Sequence, residues 1–584
     1  MEKRALVKRE IAKYLLYVAL FLLLFVTFNL LIATVLFIFR ISVQPWYVIM
    51  AGVLSILAVA FMMKKRQFLN WKSVAIVIVV PLLTITGLTV LNGKIYDSTY
   101  DGNNYHKLAI GLMMEGWNPL YETEAEFVEN GGSQIELGGE TFHWGDYYAK
   151  ASHIFAANIG SLTGNVESGK VLNEISILAT CAVLIAVCLY AQRTWVFSLL
   201  FSAIAVSLPT ISGQFLTNYV DLLVYLYIFL LVALIFSFEY MKNYRIELFA
   251  VFFMTLVILI NIKFSSFAYA GILCAGYYVW YIYRCYRGEP ESKNFLKRFT
   301  FVALGAFIVG VFVVGLSVYP RNMVFKGNPF YPLLGEGKED IMTKNSPDYF
   351  KEKNNVERFA IATFSKMDNI SEASGREAEY KIPFSIDENE LEFLGHSDLR
   401  ISGNGPFFSG ILIVAFIVVI IGAKKLFMED KKLFVLIMIP IGITFGLMLV
   451  MSDVWWARYF PQIHFVVFAA LIILSRYKSV IAKVVLYSFM SLLLVNNFMY
   501  FNAAVRISYD FTTSVKEGIS FYKSLYSAEE CIVSLETDKF PGSYYDGRYA
   551  FSEYDIVYKK WIPEENDEYI ALMNPFLIGK CEKK

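Results

Sequence analysis

Long apolar runs are the feature that most constrains how this chain can fold. A helix needs about 20 mostly apolar residues to cross a bilayer, because hydrocarbon offers no hydrogen-bond partner to a bare peptide group. The composition allows many such helices, since 57% of the 584 residues are hydrophobic and only 18% are charged. Thirteen runs qualify, of which the fifth and the twelfth are short: 13–39, 45–63, 72–91, 174–191, 195–210, 218–238, 246–262, 266–284, 298–319, 406–423, 431–451, 462–476 and 478–500. We therefore predict an all-α polytopic membrane protein.

Positive charges fall on alternate connections between these runs. They cluster in "MEKRALVKRE", "KKRQFLNWK", "KNYR", "RCYRGEPESKNFLKR" and "RYKSVIAK", whereas the opposite short connections carry only Arg40, Lys263 and Arg458. Because Lys and Arg concentrate in cytoplasmic loops, this pattern predicts an N-terminus inside the cell and a C-terminus outside. The first run is too long for a removable signal peptide, so we expect a retained anchor. The formal net charge of +1 lacks the basic footprint of a nucleic-acid partner.

The predicted topology divides the chain into membrane parts and outer parts. The membrane helices fall within 1–91, 174–319 and 406–500, and three long polar segments lie between and after them on the outer face of the cell membrane: the first outer segment (92–173), the second (320–405) and the third (501–584). Short extended runs in the third segment, "CIVSLE" and "YDIVYKKW", predict a small mixed α/β domain. Cys531 and Cys581 bracket it, either as a disulfide or as two free thiols.

The first outer segment contains a helical pattern with a narrow polar stripe. The stretch "NNYHKLAIGLMMEGWNP" places a polar residue about once per turn among apolar ones. Asn103 or Asn104 can cap the start of this helix, and Gly116 can end it. The pattern predicts a helix that lies in the plane of the membrane surface. A second helix is predicted in "GDYYAKASHIFAANIGSL".

Two carboxylates precede that helix. Asp97 and Asp101 follow an apolar run directly, where a carboxylate costs free energy unless it is solvated or paired. Either can act as a general base that takes a proton from a hydroxyl, and either can simply cap the helix. The two carboxylates can also share a divalent cation, although no pattern of metal ligands surrounds them. His106 and His143 are candidate substrate contacts in the same segment.

Two arginines lie near the predicted outer ends of membrane spans, at the depth of the lipid headgroups. Arg458 lies among aromatic residues in "SDVWWARYFPQIH", and Arg321 lies in "YPRN" after the ninth run. A guanidinium at this depth can grip a phosphate with two hydrogen bonds, or it can reach out to lipid headgroups. Asp221 and Lys263 are the notable ionisable residues near the outer ends of spans. They form no chain of charges across the bilayer, which lowers the case for a transporter.

Four stretches of the sequence together carry a family likeness. They are "DGNNYHKLAIGLMMEGWNP", "KGNPFYPLLGEG", "WWARYFPQ" and "FPGSYYDGRYAFSEYDIVY". In this order they resemble the outer-loop motifs of bacterial GT-C superfamily glycosyltransferases, over most of the chain. One departure is that the first long loop follows the third predicted span rather than the first. A second is that the acidic pair of the family is usually set closer together than Asp97 and Asp101.

The resemblance implies a function and a set of residue roles. It implies transfer of a sugar from a polyprenyl-phosphate donor to a cell-envelope glycan or glycolipid acceptor, with inversion, at the outer face. Asp101, with Asp97 as its rival, would serve as the acid/base residue, and Arg458, helped by Arg321, would hold the lipid phosphate. Tyr105, His106, His143 and Trp117, all in the first outer segment, are the further candidate substrate contacts. The alternatives are a polysaccharide polymerase or ligase, and a transporter or flippase of lipid-linked sugars.

Overall fold

Helices make up most of the chain up to residue 527. The computed structural model describes residues 2–133, 135, 142–527, 531–536, 558–561, 570–571 and 578–583. Its α-helices are α1 Glu2–Ile38, α2 Trp46–Lys65, α3 Trp71–Val74, α4 Val80–Asn92, α5 Lys107–Glu115, α6 Glu124–Glu129, α7 Phe142–Tyr147, α8 Ala151–Thr163, α9 Val171–Tyr190, α10 Trp195–Val206, α11 Pro209–Gln214, α12 Asp221–Tyr240, α13 Arg245–Ile260, α14 Phe264–Tyr286, α15 Ser292–Val309, α16 Tyr319–Lys326, α17 Ile341–Asn345, α18 Asn355–Phe364, α19 Phe408–Glu429, α20 Lys431–Val450, α21 His464–Leu474 and α22 Val480–Ser527.

Every predicted apolar run coincides with helix. Within the described residues, ten helical segments are long and apolar enough to cross a membrane, and α10 and α21 are shorter apolar helices. In its described helical part, the chain therefore has the all-α architecture of a multi-pass membrane protein. A crossing count of thirteen and the N-in, C-out orientation stay predictions. A π-helical turn, Ala75–Val79, joins α3 to α4, so the third span runs from Trp71 to Asn92.

Burial separates the central helices from the peripheral ones. The most apolar 18-residue window of α12 is 94% buried, and α12 packs against α9 and α13. Because α12 is apolar on all sides, it suits a position surrounded by other helices. The corresponding windows of Trp71–Asn92 and Ser292–Val314 are only 22% buried. Those two segments therefore expose apolar faces, as helices at the lipid boundary do.

The helix of the first outer segment differs from its prediction in two ways. Its first turn, Gly102–His106, is π-helical, and the Asn103 side chain donates to the carbonyls of Asp97 and Thr99 instead of capping. The prediction that Asn103 or Asn104 caps the start of this helix is therefore wrong. Residues 107–113 of α5 are all buried, so this helix is packed within protein on every side and does not lie freely in the membrane surface. The predicted end is confirmed, because Gly116 follows α5 with a φ of +121°.

The second outer segment packs onto the loop before α21. Its helices include α16, α17 and α18, and its Phe350, Ile361 and Ile401 share a hydrophobic core with Trp455 and Trp456. The aromatic segment around Arg458 is thus covered by protein. These contacts favour a packed environment for the segment over the alternative in which Arg458 reaches out to lipid headgroups.

The third outer segment begins as a continuation of a membrane helix. α22 extends as far as Ser527, well past the predicted end of the last run at residue 500. Four strands follow, Cys531–Glu536 (β1), Tyr558–Trp561 (β2), Ile570–Ala571 (β3) and Ile578–Lys583 (β4), in the sheet order β2-β1-β4-β3. β1 is parallel to β2 and antiparallel to β4, with Cys531 opposite Lys583 and Cys581 opposite Val533. The motif "FPGSYYDGRYAF" lies outside the described residues.

Candidate active site

Asp97 is a fully bonded, buried carboxylate. Its Oδ1 accepts hydrogen bonds from the backbone N–H and the hydroxyl of Thr99, at 2.9 and 2.6 Å. Its Oδ2 accepts from the backbone N–H and the side-chain amide of Asn218, at 2.6 and 3.0 Å. Gly102 sits so close that a Cβ there would come within 2.1 Å of Oδ2. Asp97 thus ties the first outer segment to the loop before α12.

A buried ionic group holds the same segment from its other side. Glu167 forms ion pairs with Lys107 and Lys170, each at 2.5 Å, and the three side chains are at most 2% exposed. The Asp97 backbone N–H also donates to Glu167, at 3.0 Å. Buried charges survive only when they are paired and hydrogen-bonded. This arrangement fixes the backbone that carries Asp101.

Asp101 points away from its own helix toward Arg458. It precedes the π-helical turn, but its side chain makes no capping hydrogen bond, so the capping alternative does not describe it. Its Oδ2 lies 3.4 Å from Arg458 Nη1. That distance exceeds the 2.7–2.9 Å that is typical of a strong charge-assisted hydrogen bond. Asp101 therefore has a cationic neighbour, and its carboxylate keeps the capacity to accept further hydrogen bonds.

Arg458 connects Asp101 to a second, deeper ion pair. Its Nε lies 3.8 Å from Asp221 Oδ2, and Asp221 Oδ1 accepts from Lys263 Nζ at 2.5 Å. Gln214 donates to Asp221 Oδ2 at 3.3 Å and accepts the N–H of Leu222. Asp221 begins α12, where the helix dipole favours a negative charge. Two carboxylates and two cations therefore form one cluster from four separate elements.

Aromatic rings frame the Arg458 guanidinium. Its central carbon lies 4.5 Å from the ring centre of Trp456, 5.0 Å from that of Tyr459 and 5.2 Å from that of Tyr219. Nη2 also donates to the Tyr459 hydroxyl, at 3.0 Å. Such cation–π contacts limit how the guanidinium can turn. Arg458 Nε is buried and makes no hydrogen bond to the residues that the structure describes, and its nearest carboxylate is that of Asp221, at 3.8 Å.

Exposure falls from Asp101 inward. The exposed side-chain fractions are 20% for Asp101, 11% for Arg458, 10% for Lys263 and 3% for Asp221. Asp101 is therefore the most accessible member of the cluster, and Asp221 is the least accessible. Burial raises the pKa of the Asp101 carboxyl above its ordinary value, and the Arg458 cation opposes that shift. A raised pKa suits a carboxylate that has to take a proton from a hydroxyl.

The predicted contacts Tyr105 and His106 adjoin this cluster. Burial and the Asp101 charge raise the pKa of Tyr105 well above its ordinary value, so its hydroxyl stays protonated. His106 Nδ1 lies 2.7 Å from His153 Nε2, and burial lowers the pKa of His106 to about 3. One ring therefore donates to the other while both remain neutral. His106 is 1% exposed, which makes it a support beneath Tyr105 rather than a surface contact.

Arg321 belongs to a different group of charges. It is 7% exposed, and its Nη1 donates to the Asp146 carbonyl at 3.3 Å. Lys150 donates to the same carbonyl at 2.7 Å, and burial with the nearby Arg321 cation lowers the pKa of Lys150 to about 7. Glu124 N–H donates to the Asp146 carboxylate at 2.7 Å. No contact in the described part of the chain joins Arg321 to Asp101 or Arg458.

Two other predicted residues have no demonstrated place in the site. Trp117 is fully buried, and its indole N–H donates to the Glu122 carbonyl at 3.1 Å, so it offers no surface to a substrate here. His143 falls in α7, but its side chain lies outside the described residues. The side chains of Asp97 and Asp101 have separate protein partners, Thr99 and Asn218 for the first and Arg458 for the second. The described residues contain no group of three or more His, Cys, Asp or Glu side chains placed to hold a metal ion.

Sequence reasoning noticed Asp221 and Lys263 but did not place them in the site. Both are ionisable residues at the ends of apolar helices, and such residues are functional candidates by default because the bilayer excludes unpaired charge. Tyr219 carried no such signal, since it is one of 38 tyrosines. Its position follows only from the Asp97 contacts with the neighbouring Asn218.

Comparison of the chain with family models, curated proteins and solved structures gives no match. The likeness to GT-C glycosyltransferases therefore rests on the residues of this chain alone.

Proposed function

We propose that this chain is a membrane glycosyltransferase of GT-C type. It transfers a sugar from a polyprenyl-phosphate donor to a hydroxyl of a cell-envelope glycan or lipid at the outer face. The observation that carries the proposal is the pairing of Asp101 with Arg458, since a base beside a phosphate-binding cation is what this reaction needs. The resemblance of four sequence stretches to that superfamily supports it.

Asp101 acts as the base in the proposed reaction. The acceptor oxygen attacks the anomeric carbon while its proton passes to an Asp101 carboxylate oxygen. The bond from the anomeric carbon to the phosphate oxygen breaks, and its electron pair leaves with the lipid phosphate. Attack opposite the leaving group inverts the anomeric configuration. General base catalysis of this kind contributes roughly 10² to 10⁴ in rate.

Arg458 stabilises the departing phosphate. Its Nη1 contact with Asp101 is long, at 3.4 Å, so a phosphate oxygen can take up that donor. Asp221 pairs closely with Lys263, at 2.5 Å, and lies farther from Arg458, at 3.8 Å, which leaves part of the Arg458 charge to act on a phosphate. Preorganised charge of this kind is often the largest catalytic contribution, because it needs no rearrangement during the reaction.

The finer features of the proposal rest on the sequence. They are thirteen crossings with the N-terminus inside, an outer-face site and a small outer α/β domain that includes β1 to β4. The alternation of basic connections supports the orientation. Assays with and without a chelator decide whether sugar transfer needs a divalent cation.

The Asp101→Asn variant tests the proposal. It keeps the size of the side chain and removes the base, so we expect an inserted, folded protein that does not transfer a labelled sugar from a polyprenyl-phosphate donor. Asp348→Asn is the matched control, because it makes the same change at an exposed carboxylate of the second outer segment. Undiminished transfer by Asp101→Asn would remove this residue from the mechanism.

Product analysis distinguishes the alternatives. A polymerase or ligase would use a lipid-diphosphate donor and would depend on His143 more than on Asp101, which alanine variants of both residues compare. A flippase would move the intact donor across a vesicle membrane without forming a new glycosidic bond.

A further inference from the structure

A basic cleft lies at the end of the helices opposite to Asp101. It is a cavity of about 650 Å³, and its lining includes four cations and one acid: Arg193, Lys425, Arg476, Lys478 and Glu429. α12 connects the two regions, since Asp221 begins it and Tyr240, which ends it, lines a cavity together with Arg193 of the cleft. A helix of 20 residues is about 30 Å long. The cleft is therefore far from the proposed transfer site.

An apolar cavity adjoins this basic cleft. It has a volume of about 110 Å³ and lies between α9, α10, α12 and α21, lined by side chains such as Cys188, Phe201, Phe229, Phe236 and Phe468. Arg193 and Ser475 line both the cleft and the apolar cavity. The two spaces therefore meet at one point, with charge on one side and hydrocarbon on the other.

Arg193 is held at that junction. Its Nη1 donates to the Ser475 carbonyl at 3.1 Å, and Lys8 donates to the Arg193 carbonyl at 2.5 Å. Burial lowers the pKa of Arg193, with the neighbouring Arg476 cation acting in the same direction. A further negative charge at this point would relieve the repulsion between the two guanidinium groups.

The acids near the cleft do not neutralise it. Arg476 lies 3.5 Å from Asp430, and Lys425 lies 3.8 Å from Glu429. Exposed pairs at such distances contribute little free energy, and salt screens them. Lys478 has no ion pair in the described part of the chain. Four cations against two acids leave an excess of two positive charges beside an apolar cavity.

We infer that the basic cleft and the apolar cavity together bind an anionic membrane lipid. Its phosphate would lie among Arg193, Arg476 and Lys478, and part of one hydrocarbon chain would enter the cavity between α9 and α12. A soluble anion would leave the apolar cavity unfilled, and a neutral lipid would leave the cations without a counter-ion. The bound lipid would link the ends of α9, α10, α19 and α21, which meet at this place.

Lipid titration of the purified full chain tests this inference. In detergent, with bound lipid counted by native mass spectrometry, we expect dioleoyl phosphatidylglycerol to bind more tightly than dioleoyl phosphatidylcholine. Dihexanoyl phosphatidylglycerol, which has the same head and short chains, should bind more weakly than the dioleoyl form. Equal binding of the two dioleoyl lipids would overturn the inference. Full displacement of the lipid by inorganic phosphate alone would indicate a site for soluble anions and would overturn it as well.

A charge variant locates the site. Lys425→Gln/Lys478→Gln removes two exposed cations of the cleft, and a basic residue near a membrane surface contributes about fivefold in affinity for anionic lipid, so we expect about 25-fold weaker binding. Lys64→Gln/Lys65→Gln is the matched control, because it removes two exposed lysines from the end of α2, outside the cleft. Unchanged affinity in the cleft variant, or an equal loss in both, would refute the site.

Discussion

Replacing Asp97 by alanine separates a structural carboxylate from a catalytic one. The change removes the acceptor of four hydrogen bonds, two from Thr99 and two from Asn218. The Thr99 hydroxyl and the Asn218 amide can turn to other acceptors, but the two backbone N–H groups cannot. A buried donor without a partner costs about 1–3 kcal/mol. We therefore expect Asp97→Ala to destabilise the fold by roughly 2–6 kcal/mol.

The assay measures stability and transfer together. Unfolding of detergent-solubilised protein by denaturant should show the loss for Asp97→Ala, while Asp97→Asn, which keeps one acceptor oxygen, should recover part of it. Asp101→Ala is the control and should unfold like the wild type, because its carboxylate has only the long contact with Arg458. If Asp97→Ala unfolded like the wild type and still lost transfer, Asp97 would be the catalytic residue and the structural role would be refuted.

Three further predictions concern the charges around Arg458. Asp221→Asn leaves Lys263 and Arg458 without their buried counter-ion and should cost about 3–5 kcal/mol in denaturant unfolding; wild-type stability of that variant would contradict the pairing. Arg458→Ala should raise the apparent KM for the lipid-phosphate donor roughly 10- to 100-fold, as expected for a lost charged hydrogen bond, whereas an unchanged KM would exclude phosphate binding. Transfer needs ionised Asp101, whose pKa is raised by burial, so activity should disappear with falling pH above the range of an ordinary Asp, about 3.9. Loss of the Arg458 cation should move that acid limb of kcat/KM to still higher pH, and a limb at or below about 3.9 would contradict the raised pKa.

The helices could be predicted because each depends on its own stretch of sequence. A run of apolar residues long enough to span a bilayer becomes helical whatever its neighbours are, since its peptide groups have no other partner. The end of α5 at Gly116 is equally local, because a φ of +121° favours glycine. The start of that helix depends on distant residues. Asn103 was available as a cap, but the Asp97 and Thr99 carbonyls engage its side chain in the packed segment.

The site could be predicted only in part, because its members come from distant elements. Asp101 and Arg458 are separated by 357 positions, and no local sequence pattern around either residue predicts their contact. Both residues lie near the predicted outer end of an apolar run, and this position was enough to select both as candidate site residues. The link through Asp221 and Lys263 follows from how α12 and α14 begin beside each other, which a single sequence does not encode in any local pattern.

The balance of charges within the site explains how donor binding and proton transfer can be coupled. Burial and the carboxylates of Asp398 and Asp221 oppose the Asp101 charge in the resting cluster, whereas the Arg458 and Lys263 cations favour it. A lipid phosphate that engages Arg458 brings negative charge next to Asp101 and withdraws the cation that had lowered its pKa. The proton affinity of Asp101 then rises at the moment when an acceptor hydroxyl has to lose its proton. We do not expect Asp97 to serve in this way, because four donors already satisfy its carboxylate.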